Sequence, residues 1–239
     1  MARMASSSER PHLLLIPGLL CTADLFAAQI VALSPLADIS VADHTGEDSM
    51  AALARSILAR APPSFALAGL SMGGYIAFEI LRQAPERVTR LALLDTNARA
   101  DRPEQSEQRR QLIELAKTHG LGAVQAKLTP LLLSQSRSGD RELGSRLVAM
   151  AEETGVAAFE RQETAIMGRP DYRPMLSEIR CPTLIVVGAE DTITPVKVAE
   201  EMARGIPGSR LEVIPDCGHL STLEQPEAVS RLLAAWLTD

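Results

Sequence analysis

The chain has 239 residues, 46% apolar and 23% charged, which is enough apolar material for a full core and excludes disorder as its main state. Its formal net charge of −6, with no dense Lys/Arg run, lacks the basic stripe that a nucleic-acid binder uses to neutralise phosphates. Three widely spaced cysteines, Cys21, Cys181 and Cys217, form no CxxC pair, which argues against a disulfide framework or a structural zinc site and fits a reducing cytoplasm.

Taken in chain order, residues 1–10, with Ser6-Ser7-Ser8, read as a loose tail. The apolar run 12–20 has the length of a signal-peptide core, but Pro17-Gly18 interrupts it and Asp24 follows closely. It reads instead as a buried strand, His12–Ile16, ending in a turn. No apolar stretch reaches the ~18–20 residues of a membrane span, so no membrane partner is expected. A helix over 24–33, a strand over 38–42, a polar loop and a helix over 49–60 follow. Next come a strand over 65–68, a helix at Met72–Gln83 with Ile76, Ala77, Ile80 and Leu81 at helical spacing, and a strand over 88–95.

The rhythm then breaks. From Thr96 to Ser177 no strand is convincing, and 102–119, 121–134, 140–153 and Val156–Met167 read as helices. Such a stretch is too long for a crossover loop. The expectation is an inserted helical cap over 96–177, with a core built from 1–95 and 178–239. The strands Thr183–Gly188 and Arg210–Ile214 and helices over 196–204 and 226–237 complete the chain. The alternation predicts an α/β fold with a mostly parallel, doubly wound sheet of about six strands and right-handed crossovers.

The strongest local signal is Gly69-Leu70-Ser71-Met72-Gly73-Gly74, a Gly-x-Ser-x-Gly pattern between an expected strand and helix. Such a turn strains the serine backbone, lifts its hydroxyl above the sheet edge and places it at a helix N-terminus that favours developing negative charge. A serine nucleophile needs a base oriented by an acid. Of the four histidines, His12 begins a strand, His44 lies in a polar loop after the second strand, and His119 ends a helix of the insertion. His219 sits in the loop directly after the last strand, on the carboxyl edge of the sheet shared with Ser71. Asp191, in the loop leaving 183–188, is the preferred acid because it fits the order Ser…Asp…His; Asp95, ending 88–95, is the competitor. The backbone N–H groups of Met72 and of Leu19, in the loop after the first strand, are the expected oxyanion donors, with Gly18 shaping that loop.

Gly69–Gly74, the segment from Gly188 to Pro195, and Gly218-His219 together resemble the α/β-hydrolase family along nearly the whole chain. The stretch from Arg169-Pro170-Asp171 to Thr183 resembles the return from that family's helical cap. Within the family the chain is similar to small capped carboxylesterases and enol-lactonases. The resemblance implies a Ser71–Asp191–His219 triad, no cofactor or metal, and a substrate held between cap and sheet. Three departures stand out: Pro17-Gly18 replaces the usual His-Gly, the loop 43–49 lacks a Gly-x-Gly turn, and the first two family strands are expected to be missing.

The expected function is therefore hydrolysis of a small, fairly apolar ester or lactone through an acyl-enzyme on Ser71. Leu20, Phe159, Met167 and Leu220 are candidates for the pocket wall, with few polar anchors beyond Arg161, Gln162 and Tyr172. C–C bond or thioester hydrolysis on the same triad is the alternative, and a non-catalytic small-ligand receptor is the reading from another class. Asp43, His44, Glu47 and Asp48 read as a solvated loop rather than a metal site, and 102–110 as a solvated helix face. The partner is a small molecule; the sequence leaves monomer and homodimer both open.

Overall fold

The computed structural model describes residues 10–239; the tail expected over 1–10 lies almost wholly outside them. Six strands, β1 (His12–Ile16), β2 (Asp38–Val41), β3 (Phe65–Leu70), β4 (Val88–Leu94), β5 (Thr183–Gly188) and β6 (Arg210–Ile214), form one sheet in the order β2-β1-β3-β4-β5-β6. Every pairing is parallel, with Leu14 opposite Leu67, Ala68 opposite Ala92, Leu93 opposite Ile185 and Val187 opposite Val213. The interior strands β3 and β5 are buried at every position, the pattern of strands covered on both faces.

Alternating side chains separate the two faces. Leu14, Ile16, Leu67, Leu93 and Ile185 point into a layer with α2 (Met50–Arg60), α3 (Met72–Gln83) and α7 (Val196–Gly205). Their neighbours Leu13, Leu15, Ala66, Ala92 and Leu184 point the other way, toward α1 (Ala27–Leu33) and α9 (Pro226–Thr238). Fully burying one side chain such as Phe78 or Leu233 stabilises the fold by about 1.5–3 kcal/mol.

Between β4 and β5 the chain is helical: α4 (Pro103–Leu132), α5 (Arg141–Thr154) and α6 (Val156–Met167). α4 breaks at Gly120, whose φ of 77° and ψ of 173° only glycine adopts readily, and its two limbs match the two helices expected there. The returning chain is anchored on α3, where Tyr172 stacks on Phe78 at 5.4 Å and donates to Glu79. The expected helix over 24–33 instead opens with a 3-10 turn, Ala23–Phe26, because the Thr22 side chain accepts from the Asp24 amide. A four-residue helix, α8 (Ser221–Glu224), is added after β6. No helix among the described residues is long and apolar enough to cross a membrane.

Candidate active site

Ser71 joins β3 to α3 at φ 54° and ψ −112°, a conformation that costs a residue with a side chain about 1–3 kcal/mol. Its surroundings hold it there. The Ser71 amide donates to the Leu94 carbonyl at 2.9 Å, and its own carbonyl accepts from the Gly74 amide at 2.9 Å and the Thr96 hydroxyl at 2.8 Å. A Cβ on Gly69 would overlap the Gly73 carbonyl, and one on Gly73 the Ile16 carbonyl, so the motif's glycines answer to packing at this turn.

The loops after β5 and β6 bring two side chains to Ser71. His219 Nε2 lies 2.8 Å from Ser71 Oγ, and His219 Nδ1 lies 2.8 Å from Asp191 Oδ2. With Nδ1 as the donor to Asp191, Nε2 is free to accept the serine proton. Asp191 Oδ1 accepts from the Ile193 and Thr194 amides at 2.9 and 2.8 Å, and Oδ2 from the Thr194 hydroxyl at 2.7 Å. Burial pushes this carboxyl up, but the His219 charge and these donors outweigh it and hold it below the usual carboxylate range. His219 is the mirror case: burial pulls it down, while the charge and hydrogen bond of Asp191 carry it above the ordinary imidazole value.

Asp95 also lies in this cluster without touching His219. Its carboxyl accepts from the Gly188 amide and the Ser221 amide, both at 3.1 Å, and so ties together the loops that carry Asp191 and His219. Burial, then the nearby Asp191 charge, pushes it up to about 7.

The loop after β1 faces the same space. Leu20, not Gly18, takes the left-handed backbone there, at φ 58°; a Cβ on Gly18 would meet only ordinary contacts. The Leu20 amide donates to Gln162 Oε1 from α6 at 3.2 Å. The Gly18 carbonyl accepts from the Cys21 amide at 3.1 Å and lies 3.0 Å from His44 Nε2. His44 is therefore turned inward rather than solvated, and burial lowers it, so it is the neutral ring that donates. The amides of Leu19 and Met72 find no protein acceptor among the described residues. No group of metal-ligating side chains occurs among the described residues.

Above Ser71 and His219 lies a cavity of about 780 Å³, walled by both limbs of α4 and by the return segment. Leu220 lines it with Leu19, Leu128 and Leu132. Leu20, Phe159 and Met167 do not: they pack with Ile113, Leu121 and Val124 in a separate apolar cluster, because α6 turns that face toward α4. The three expected polar anchors are also spent elsewhere, Arg161 on the Thr45 carbonyl, Gln162 on Leu20 and Tyr172 on Glu79. Nor is 102–110 simply a solvated face. Arg109 turns inward to bond Asp101 and Glu163 at 2.7 Å each, and lines the cavity with Arg102.

Sequence reasoning missed four positioning groups. Thr194, three residues after Asp191, has the spacing of a local Asx-type turn and was within reach of a pattern argument. His44, Gln162 and Glu224 act across long separations that no local pattern marks. Glu224 accepts from the Gly218 amide at 2.9 Å and the Ser134 amide at 2.7 Å.

A family model for the alpha/beta hydrolase fold matches residues 47–226, and the chain belongs to that family. It is 30% identical over 188 residues to a pimeloyl-[acyl-carrier protein] methyl ester esterase of Nitrosomonas europaea, covering 75% of this chain and 74% of the relative. Among solved structures, a thermophilic esterase from Thermogutta terrifontis with malate bound superposes with a TM-score of 0.88 at 32% identity, over 96% of this chain and 90% of that one. The enol-lactonase from Burkholderia xenovorans LB400 shares the fold, with a TM-score of 0.86 at 22% identity over 98% and 94% of the two chains.

Proposed function

We propose that the protein is a serine hydrolase that cleaves a small carboxylic ester or lactone through an acyl-enzyme on Ser71. The observation that carries this reading is the continuous chain from Ser71 Oγ through His219 to Asp191, at 2.8 Å on each side, opening onto the cavity. Ser71 Oγ attacks the acyl carbon and gives its proton to His219 Nε2. The resulting oxyanion is held by the unengaged amides of Leu19 and Met72; losing one such donor typically costs about 10²–10³ in rate. The imidazolium, steadied by Asp191, protonates the leaving alkoxide as the C–O bond breaks. Water then attacks the acyl-enzyme, giving a proton back to Nε2, and Ser71 leaves with that proton as the acid is released.

The helical segment 96–177 acts as the cap over the substrate. The esterases at 30% and 32% identity support the ester class. A 2-hydroxy-6-oxononadienedioate/2-hydroxy-6-oxononatrienedioate hydrolase of Escherichia coli, 28% identical over 179 residues, makes C–C cleavage on the same triad the second reading. All three cysteines are free, in keeping with a cytoplasmic setting. The test needs no substrate guess: the folded protein is treated with a fluorophosphonate, beside Ser71→Ala and a heat-unfolded control, and the adduct is mapped by mass. A single adduct on Ser71 is expected. No adduct, with activated esters also untouched, would leave the receptor reading in its place.

A further inference from the structure

One wall of the cavity carries a small excess of positive charge, in a protein whose net charge is −6. Five arginines line it, against two carboxylates, Glu163 and Asp171. Behind these, Asp101 pairs with Arg109 and Arg169, and Glu201 with Arg99 and Arg173. The carboxylates therefore fall one short of the guanidiniums. The shortfall has a location, because Arg102 makes no ion pair among the described residues. Two of the paired arginines, Arg109 and the buried Arg169, also keep unused donors. Arg109 spends Nε on Asp101 and Nη1 on Glu163; Arg169 spends Nε on the Arg99 carbonyl and Nη1 on Ile166 and Asp101. Their Nη2 groups bond nothing among the described residues. The Arg169 guanidinium carbon lies over the Tyr75 ring, 4.2 Å from its centre, and Tyr75 lines the same cavity.

An arginine whose other nitrogens are fixed by carboxylates is a pre-oriented donor, which loses little freedom when it takes up an oxygen anion. Leu128, Leu132 and Leu220 give the cavity an apolar wall as well. That combination suits a molecule with a hydrocarbon spacer and an anionic end better than the uniformly apolar substrate that the sequence suggests.

We propose that the cavity selects esters carrying a carboxylate on the acyl side, with Arg102 and Arg109 as the residues that bind the anion while Ser71 attacks the ester. The hemiester of a dicarboxylic acid is the simplest such substrate. This proposal rests on the esterase reading of Ser71, and the experiment keeps the two apart. Monoethyl hemiesters of the diacids from succinate to suberate are compared with ethyl esters of the same chain ending in methyl, and the ratio of the two kcat/KM values is followed. At the best chain length the hemiester is favoured about tenfold or more at low ionic strength, and the preference shrinks as salt screens the charge. In Arg102→Gln the ratio falls several-fold through KM of the hemiester. Because a ratio is insensitive to the fraction of folded enzyme, Arg109→Gln serves as the second variant even if it loses stability.

Calorimetry of the diacid products on Ser71→Ala protein gives a readout without turnover, with binding expected there and weakened in the Ser71→Ala/Arg102→Gln pair. A ratio at or below one at every chain length, or a ratio unmoved by both arginine variants together with diacid binding unmoved by Arg102→Gln, overturns the proposal while leaving Ser71 labelling intact. Failure of Ser71 to label overturns the esterase reading instead; diacid binding to the Ser71→Ala protein would still uphold the anion site.

Discussion

In the proposed mechanism Ser71, His219 and Asp191 act as one unit, so their removal is not additive. Ser71→Ala or His219→Ala should each lower kcat by about 10⁴-fold or more, and the double substitution should cost little beyond either. Single-turnover and steady-state rates on a small activated ester check this, and multiplicative losses would break the shared mechanism. Asp95 makes a different prediction. His219 must be neutral to accept a proton, and it is held above the ordinary value of about 6.5, so activity should rise with pH through a midpoint above that value. The Asp95 charge contributes to that elevation. Asp95→Asn should therefore retain turnover and move the acid limb of kcat/KM to lower pH, whereas Asp191→Asn should abolish most activity at every pH. The same carboxyl has a stability signature. It titrates at about 7 in the fold and at about 3.9 unfolded, so between these values the folded state binds more protons and stability falls as pH rises. Melting temperature against pH should lose that slope in Asp95→Asn. At this scale the sequence was informative where a residue follows a strand. Ser71, Asp191 and His219 could be named from their loops, and the structure brings them together. His44 could not, because its partner, the Gly18 carbonyl, belongs to a different strand's loop and nothing adjacent to His44 encodes it.

Helix α4 shows how an element can be read correctly in outline and misread in its faces. Its interruption was read from the sequence as two successive helices, 102–119 and 121–134, and the structure places the break at Gly120, with a backbone that disfavours any side chain. Gly120→Ala should cost about 1–3 kcal/mol and lower Tm by several degrees, while Gly122→Ala, inside the second limb with open space around a new methyl, should be neutral or stabilising. Thermal melts of the two variants give opposite signs if the break is a backbone constraint. The inward face of the first limb was not visible. Arg109 looks like any charged residue of a solvated helix until Asp101 and Glu163, the latter from α6, are seen on either side of it. Likewise α8 is only four residues long, too short for any periodicity to announce it. Gln162 on α6 holds the loop after β1 through the Leu20 amide, and that loop carries a proposed oxyanion donor, so Gln162→Leu should lower kcat more than it changes KM. A change confined to KM would remove that role.

Over the whole molecule, the helical segment between β4 and β5 and the loop that carries His219 are one construction. The Leu132 carbonyl at the end of α4 accepts from the His219 amide at 2.8 Å, Glu224 takes the amides of Ser134 and Gly218, and Glu190 takes that of Gln135. Removing a buried carboxylate that satisfies two amides strands both donors, at about 1–3 kcal/mol each. Glu224→Ala should therefore lower the melting temperature and the turnover together, and Glu224→Gln, which keeps one acceptor, should fall between. The parallel order of the sheet was legible in the alternation of strands and helices. The charge of the cavity was not, because its arginines come from 99–109 and 169–173, two segments that meet only after folding.

The pairing of β4 with β5 has a kinetic consequence. Leu91 sits beside Thr183, so the middle of the sheet cannot close until about 90 intervening residues have been looped out. Closure entropy grows only with the logarithm of that length, and halving the loop would recover merely ~0.6 kcal/mol. Insert length is thus nearly free in equilibrium terms, and the burden falls on speed: β1, β2, β3 and β4 can assemble early, while β5 and β6 dock late, carrying Asp191 and His219 with them. The loops that carry Asp191 and His219 are then among the last parts of the molecule to form, and a refolding chain should regain most of its secondary structure before it regains any reactivity at Ser71.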